Sequence, residues 1–450
     1  QSLYSYDARH RLAGITFQTC TVNAAHACTD TPVSTGSDAY AYDDNDNRTQ
    51  VAENNAATSS DRRYCYDARN QLVLRNSGIA CSSSANDEAW TYDEAGNRLT
   101  ATSGGTTITF AYDATGLLCD AKTGAAASCT GGNIDHDTAG RIQSWNGWTL
   151  AYDAEGRLTS ACKSATCTSG SDKLVFSYDG QGHRTKIVAT AAGGSVTTTD
   201  FRYQNGAVVE ERVNNTVVRQ FVTDEAGSIS KLIVPSGQPD AGTYLVSWNG
   251  HGDALNLLRV NADGTTTLAN SFTYDSWGKP TTSSHNGIVD LGFRYLYVGQ
   301  FNVQWDDTFG LGLHYMRARH YATNLDRFLQ PDPAALEANS HAYTANSPVT
   351  AIDPSGLAGG TYSLCRCRMG ATGVSVTFGL GARHIPRGLS QSTVERAIVR
   401  SIARQRLPNV GSTVYRYIWV GNYLFKYGAR RYRPSRINVG TYHGPPFSFR

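Results

Sequence analysis

The sequence predicts a mainly β chain: a long array of β-hairpins followed by a small α+β domain at its C-terminal end. Three observations carry this expectation. A phrase of aromatic residue, spacer, Tyr and Asp, closed by a turn and then Arg or Leu, recurs from Tyr4 to Pro280. Helical periodicity is almost absent before residue 330. The charge balance then breaks near residue 360. From Thr361 onward there are 15 Lys and Arg against one acid, Glu395, a net of +14, whereas the first 360 residues hold 25 basic and 37 acidic side chains, a net of −12. A chain of 450 residues also exceeds one small core, so two or more domains follow.

The first element is the repeat. It reads "YSYDARHRL" at Tyr4, "YAYDDNDNR" at Tyr40, "YCYDARNQL" at Tyr64, "WTYDEAGNRL" at Trp90, "FAYDATGLL" at Phe110 and "IDHDTAGRI" at Ile134. It continues as "LAYDAEGRL" at Leu150, "FSYDGQGHR" at Phe176, "FVTDEAGSI" at Phe221 and "FTYDSWGKP" at Phe272. Each unit predicts strand, turn, strand. Residues two apart, such as Tyr64 and Tyr66, share a strand face. The Asp opens the turn, Gly supplies positive φ, and Arg-Leu begins the return strand. Ten copies of one active site make little chemical sense, so the Tyr, Asp and Arg are read as structural, linking neighbouring units through stacked rings and Asp–Arg pairs.

Eight of the ten cysteines fall into close pairs: Cys20 and Cys28, Cys65 and Cys81, Cys119 and Cys129, Cys162 and Cys167. Each pair brackets a polar loop, which suits local disulfides and an oxidising environment, with free thiols as the alternative. None has zinc-ribbon spacing. No stretch of eighteen apolar residues exists, so no membrane-spanning segment is expected. Gln1 opens inside a repeat without a hydrophobic leader, and the chain reads as part of something longer.

These repeats resemble the YD repeats of the Rhs/teneurin-type polymorphic toxins. The segment Tyr297 to Leu357, containing "GLHYMRARHY", "DRFLQPDP" and "NSPVTAIDPSGL", resembles the Rhs-associated core that closes such arrays. The resemblance implies three parts: residues 1–296 as a segment of a spiralling β-shell, 297–357 as the core, and 358–450 as a variable toxin. It also implies export from a bacterium, action of the toxin in the target-cell cytoplasm, retention of the toxin by its own shell, and a cognate immunity protein as partner. Secretion-system effectors, wall-associated contact-inhibition toxins and the C components of insecticidal toxin complexes all share this pattern. In the family the chain cuts itself at "DPxGL". Carried over, the scissile bond is Leu357–Ala358, the acids are Asp332 and Asp353, and Arg327 is the candidate for balancing their charge. Two carboxyl groups brought together can divide the roles of acid and base. The plainer alternative is that both Asp-Pro pairs are turn residues. Two departures stand out: Asp326 replaces the glycine that usually precedes "RF", and "DPAALEAN" (332–339) replaces a glycine-rich turn.

The last element is the basic segment. Ser392 and Glu395 have capping-box spacing at the head of a predicted helix through Leu407, with Arg396, Arg400 and Arg404 on one face. "TVYRYIWV" from Thr413, "YLFKYG" from Tyr423 and "RINVGTY" from Arg436 predict a three-strand meander. Arginines interleaved with aromatics suit phosphate contact and base stacking, and RNA is the expected substrate. The expected contacts are Arg387, Arg400, Arg416, Lys426, Arg436, Thr441 and Tyr442. The segment lacks the HxE and PCxxC pattern of a zinc deaminase and the carboxylates of a two-metal nuclease. Cys365, Cys367, His384 and His443 make a weak ligand set, so no metal and no cofactor is expected. Metal-independent RNA cleavage by the histidine pair His384 and His443 is what remains. The order of elements is loosely similar to barnase/EndoU/colicin-like ribonuclease toxins. The competing readings are a nucleic-acid-binding toxin without turnover, and a structural or adhesive teneurin-like protein.

Overall fold

The computed structural model describes residues 2–9, 11–19, 33–55, 59–78, 87–167, 170–204, 206–224, 227–285, 290–333 and 339–357, together with the backbone of six strands between Cys367 and His443. Ten strands, from Ser2–Tyr6 to Leu118–Thr123, form one sheet, and fourteen, from Asp135–His136 to Pro280–Ser284, form a second. In both sheets every strand pairs antiparallel with the next in sequence. The expected array of hairpins is what the chain builds.

Each letter of the repeat has a local task. Asp67 Oδ1 accepts the backbone N–H groups of Arg69 and Gln71, both at 2.9 Å, while its own N–H donates to Gln71 O at 3.0 Å. This Asx turn fixes the two-strand register and recurs at Asp7, Asp137, Asp179 and Asp275. The second aromatic latches backwards. Tyr66 Oη donates to Arg48 O at 2.8 Å, Tyr92 to Leu72 O at 2.8 Å, Tyr178 to Leu158 O at 2.6 Å and Tyr274 to Ala254 O at 2.8 Å. The arginine closes the unit: Arg157 Nε lies 2.7 Å from Asp153 Oδ2, and its guanidinium sits 5.1 Å from the Tyr178 ring centre. The first aromatic goes inward, with Tyr64, Trp90 and Phe176 all buried.

An eleventh unit escaped the sequence reading. At Trp248–Asp253 an Asn replaces the Asp, and Asn249 Oδ1 accepts the N–H groups of His251 and Asp253 at 2.9 Å. Trp248 Nε1 donates to Ile229 O at 2.8 Å, the bond a Tyr hydroxyl makes elsewhere. The same contacts are formed by different residue types.

The segment from Leu291 to Leu357 packs against both sheets. Leu311, Leu313, Leu325 and Leu329 share one apolar cluster with Leu118, Trp148, Leu174 and Phe201. Phe293 and Tyr295 join Phe221 and Phe272 in another, and Val349 packs with Tyr40, Tyr64 and Trp90 in a third. Polar staples span the array: Arg48 N–H donates to Thr350 Oγ1 at 2.9 Å, and Asn346 Nδ2 to Gly96 O at 2.8 Å. Among the described residues here, eight that are not glycine, including Val298, Arg317, Asp326 and Asn346, have positive φ. Asp326 at φ 52° explains why glycine is the usual occupant of its position in the family it resembles.

Gly278 shows how tightly the segment docks. It has φ 86°, and a Cβ there would lie 2.5 Å from the Tyr297 ring. Gly278→Ala is expected to lower stability by about 1–3 kcal/mol through overpacking, above the left-handed backbone cost of about 1–2 kcal/mol. Gly264→Ala, at φ 82° with nothing within 4 Å, isolates that backbone cost. Urea midpoints of the two variants should therefore differ, and equal midpoints would refute the close docking.

Disulfides close Cys119–Cys129 and Cys162–Cys167, with Cα separations of 5.2 and 5.4 Å. Cys65 is also disulfide-bonded, while Cys20, Cys28 and Cys81 lie outside the described residues. Beyond the core, the described residues form strands alone. Thr413–Val420, Tyr423–Arg433 and Arg436–His443 pair antiparallel as a meander, and Val374–Phe378 and Ala382–Arg383 join the last of them in parallel. The helix expected between Ser390 and Leu407 lies outside the described residues, so the expected α+β class is supported there only in its strands. Among the described residues no helix is long and apolar enough to cross a membrane.

Candidate functional site

The turn Asp353-Pro354-Ser355-Gly356 presents Leu357 at the protein surface, with Asp353 fully buried beneath it. Gly356 N–H donates to Asp353 O at 3.3 Å, closing the turn. Gly356 has φ 64°, and a Cβ would lie 2.6 Å from Met316 O and 2.8 Å from Arg319 N. Only glycine lets the chain pass this close to the strand Arg319–Ala322.

Asp353 is held from both sides. Its Oδ1 accepts the Ser355 hydroxyl at 3.0 Å and the Leu357 backbone N–H at 3.2 Å. Its Oδ2 is paired with Arg319 Nη2 at 3.1 Å. Arg319 is itself buried, stacked 3.5 Å from the Phe328 ring centre, and donates from Nε to Gly356 O at 2.6 Å and from Nη1 to Ser340 O at 3.0 Å. The same Ser340 carbonyl accepts the Asp332 N–H at 2.7 Å. One guanidinium and one carbonyl thus join Asp332, Asp353 and the chain entering Leu357. Both sequence-predicted acids are buried, and Asp332 is tied to this network through its backbone N–H.

Arg327 is placed differently from its expected role. Its Nη1 donates to Tyr112 Oη at 3.3 Å, and burial pushes its guanidinium below the usual arginine range. It forms no ion pair among the described residues, and the cation on Asp353 is Arg319. Sequence reasoning passed over Arg319 although "MRARHY" contains it, because no local rule says which of two nearby arginines turns toward a residue 34 positions away. His341 is neutral here: burial, then Arg327, pushes its pKa down to about 3, with Nε2–H donating to Gly140 O at 3.0 Å.

In the basic segment, backbone register sets His443 between Arg383 and Lys426, and Tyr442 between Ala382 and Tyr427. Thr441 stands opposite Gly428, Arg436 opposite Ser375, and Arg416 opposite Tyr427. His384, Arg387, Arg400 and Ala358 lie outside the described residues. Among the described residues no cluster of three His, Cys, Asp or Glu has the arrangement of a metal site.

The Teneurin YD-shell family profile matches residues 42–348, a span running from the second repeat into the core just described. The chain belongs to the teneurin YD-shell family. This YD-shell is 29% identical over 282 residues to the tRNA3(Ser)-specific nuclease WapA of Bacillus spizizenii, a match covering 59% of the chain and 11% of that relative. It is 25% identical over 347 residues to the double-stranded DNA deaminase toxin A of Burkholderia cenocepacia, covering 67% of the chain and 23% of the relative. The YD-shell therefore spans a tenth to a quarter of the length of these curated relatives. Its fold is similar to the crystal structure of TcdB2-TccC3-Cdc42, with a TM-score of 0.50 and 16% identity, covering 79% of this chain and 20% of that one.

Proposed function

We propose that this chain is the closing part of a toxin carrier, in which the shell and core, residues 1–357, cut the chain after Leu357 and free a basic toxin, residues 358–450. The observation that supports it most is the carboxylate of Asp353 on the Leu357 N–H, clamped by Arg319, which through Ser340 O also reaches the backbone of Asp332. In the cut, water adds to the Leu357 carbonyl and the bond to Ala358 nitrogen breaks. One carboxyl group takes a proton from water and the other delivers one to the departing amine. Arg319, bound to Gly356 O, fixes the peptide against the acids.

The freed segment acts on RNA without metal, with His384 and His443 exchanging protons and Arg387, Arg400, Arg416, Lys426 and Arg436 carrying phosphate charge. Two supports favour nucleic acid as the target: the net charge of +14 from Thr361 onward, and relatives whose names include a tRNA nuclease and a DNA deaminase. Action in a target cell after export, and neutralisation by an immunity protein, complete this reading. The test is the full chain incubated with RNA and with DNA in EDTA, beside its His384→Ala/His443→Ala variant. Wild type should cut RNA alone, and the double variant should lose ~10²-fold or more in rate while still binding RNA. Binding without cleavage by wild type would favour a non-enzymatic toxin, and no interaction would favour a structural role.

A further inference from the structure

A cavity of about 540 Å³ lies between the first sheet, the turn after Tyr274 and the core segment. Its rim is solvent-exposed at Ser103, Thr106, Asn146 and Lys279. Three carboxylates, Glu88, Asp275 and Asp326, and three indoles, Trp90, Trp145 and Trp277, face it. This is far from the Asp353 network in composition, and neither the repeats nor the cleavage chemistry requires it.

The protein already shows what these walls hold. Arg98 pairs with Asp326 while its guanidinium lies 3.8 Å from the Trp277 ring centre, so carboxylate and indole together seat a planar cation. The remaining groups are left over. Asp275 makes no ion pair among the described residues; its Oδ1 caps the turn, accepting the N–H groups of Trp277 and Lys279 at 2.9 Å. Lys279 Nζ goes to Asn324 Oδ1 at 3.0 Å instead of to a carboxylate. Glu88 accepts the Ser276 hydroxyl and has Arg75 only at 4.0 Å. Trp277, 2% exposed and lining the cavity, has an indole N–H with no hydrogen-bond acceptor. Buried carboxylates are paired or lose their charge. Here Asp275 has no cation partner among the described residues and the Trp277 N–H has no acceptor.

We propose that this cavity binds an organic cation of guanidinium or ammonium type that carries a neighbouring carbonyl or hydroxyl oxygen. The cation sits between Asp275 and Glu88 beside the indoles, and the oxygen accepts the Trp277 N–H. A cavity of this size takes a ligand as large as an amino-acid amide. Entry of the cation displaces a proton. Burial first, then Asp326 and Glu88, raise the Asp275 carboxyl to about 8, while burial raises Asp326 to about 6 with Arg98 opposing. With Glu88, Asp326, Arg98 and Lys279 as the charged groups facing Asp275, that carboxyl is largely protonated at pH 6.5. Affinity should therefore rise with pH through about 8, by roughly 25-fold between pH 6.5 and 8.5.

Calorimetric titration of the full chain with Nα-acetyl-arginine amide tests this, with the neutral citrulline amide as comparator. The expected result is saturable one-to-one binding of the arginine compound alone, with release of nearly one proton per site at neutral pH. Asp275→Asn keeps an oxygen for the turn and should weaken binding about tenfold; Trp277→Phe should weaken it less. The proposal is overturned if wild type shows no saturable binding, if the citrulline compound binds equally, or if a folded Asp275→Asn chain binds unchanged. Should that variant fail to fold, the citrulline comparison and the proton count on wild type still decide.

Discussion

Asp353→Asn should leave the purified protein as one 48.6 kDa chain, where wild type yields residues 1–357 and 358–450 as separate polypeptides. Mass spectrometry should place the new amino terminus of the wild-type product at Ala358. The substitution keeps an oxygen to accept the Leu357 N–H and the Ser355 hydroxyl, so the turn survives while the negative charge paired with Arg319 and the proton-transfer group are lost. Loss of such a group costs ~10²–10⁴ in rate. Asp332→Asn should behave alike. Arg319→Lys keeps a positive charge but not the fork that reaches Asp353, Gly356 and Ser340 together, so slowed cleavage is expected. Urea midpoints of the variants separate lost chemistry from a lost fold. Wild-type chain that stays intact through long incubation at neutral pH would end this reading, and so would Asp353→Asn cutting at the wild-type rate.

The largest loss of stability should follow Asp306→Ala. Asp306 is buried in the core segment and pairs with two guanidiniums: the fully buried Arg184 from the second sheet, and the partly buried Arg294 at 3.0 Å. Arg294 keeps a second anion, Glu211, at 3.0 Å, and Arg219 also pairs with Glu211. Arg184 has no such reserve. Without Asp306 it retains Gln304 Oε1 at 2.6 Å and the rings of Tyr315 and Phe176, but no anion, in a position with no solvent exposure. Stranding a buried charge costs about 3–5 kcal/mol. Removing both partners, as Arg184→Met with Asp306→Leu, should cost much less than the single change. A urea-melt loss below about 1 kcal/mol for Asp306→Ala would show that water reaches Arg184.

The shell was legible because its repeat is made of local rules. Asp before a turn, a glycine at positive φ, and aromatics two apart each act within a few residues, so their spacing already describes the hairpin. The unit at Trp248–Asp253 was missed because Asn and Trp supply the same acceptor and donor under other letters. The candidate site was half legible. Asp332 and Asp353 were read from the core resemblance; the structure buries both, and ties the backbone N–H of Asp332 to the Ser340 carbonyl that Arg319 also reaches. Arg319 was not read, because its choice of partner is set by packing over Phe328 and by a contact 34 residues distant. The acidic cavity was not legible as a site: Asp326 stood out only as a departure from glycine, and nothing in the sequence joins it to Glu88 and Asp275, which come from separate repeats.

The backward latch of each tyrosine also gives the array a mechanical grain. Tension applied across the ends of the first sheet loads its hairpins in series, peeling one strand at a time; each step parts one ladder, and alternate steps also part a tyrosine bond such as Tyr66 to Arg48. Tension between an early repeat and the core meets the opposite geometry. Arg48 with Thr350, and Asn346 with Gly96, are separated by 302 and 250 residues, and they must rupture side by side before any strand can peel. The same shell is thus soft to being unravelled strand by strand and stiff to being pried from its closing segment.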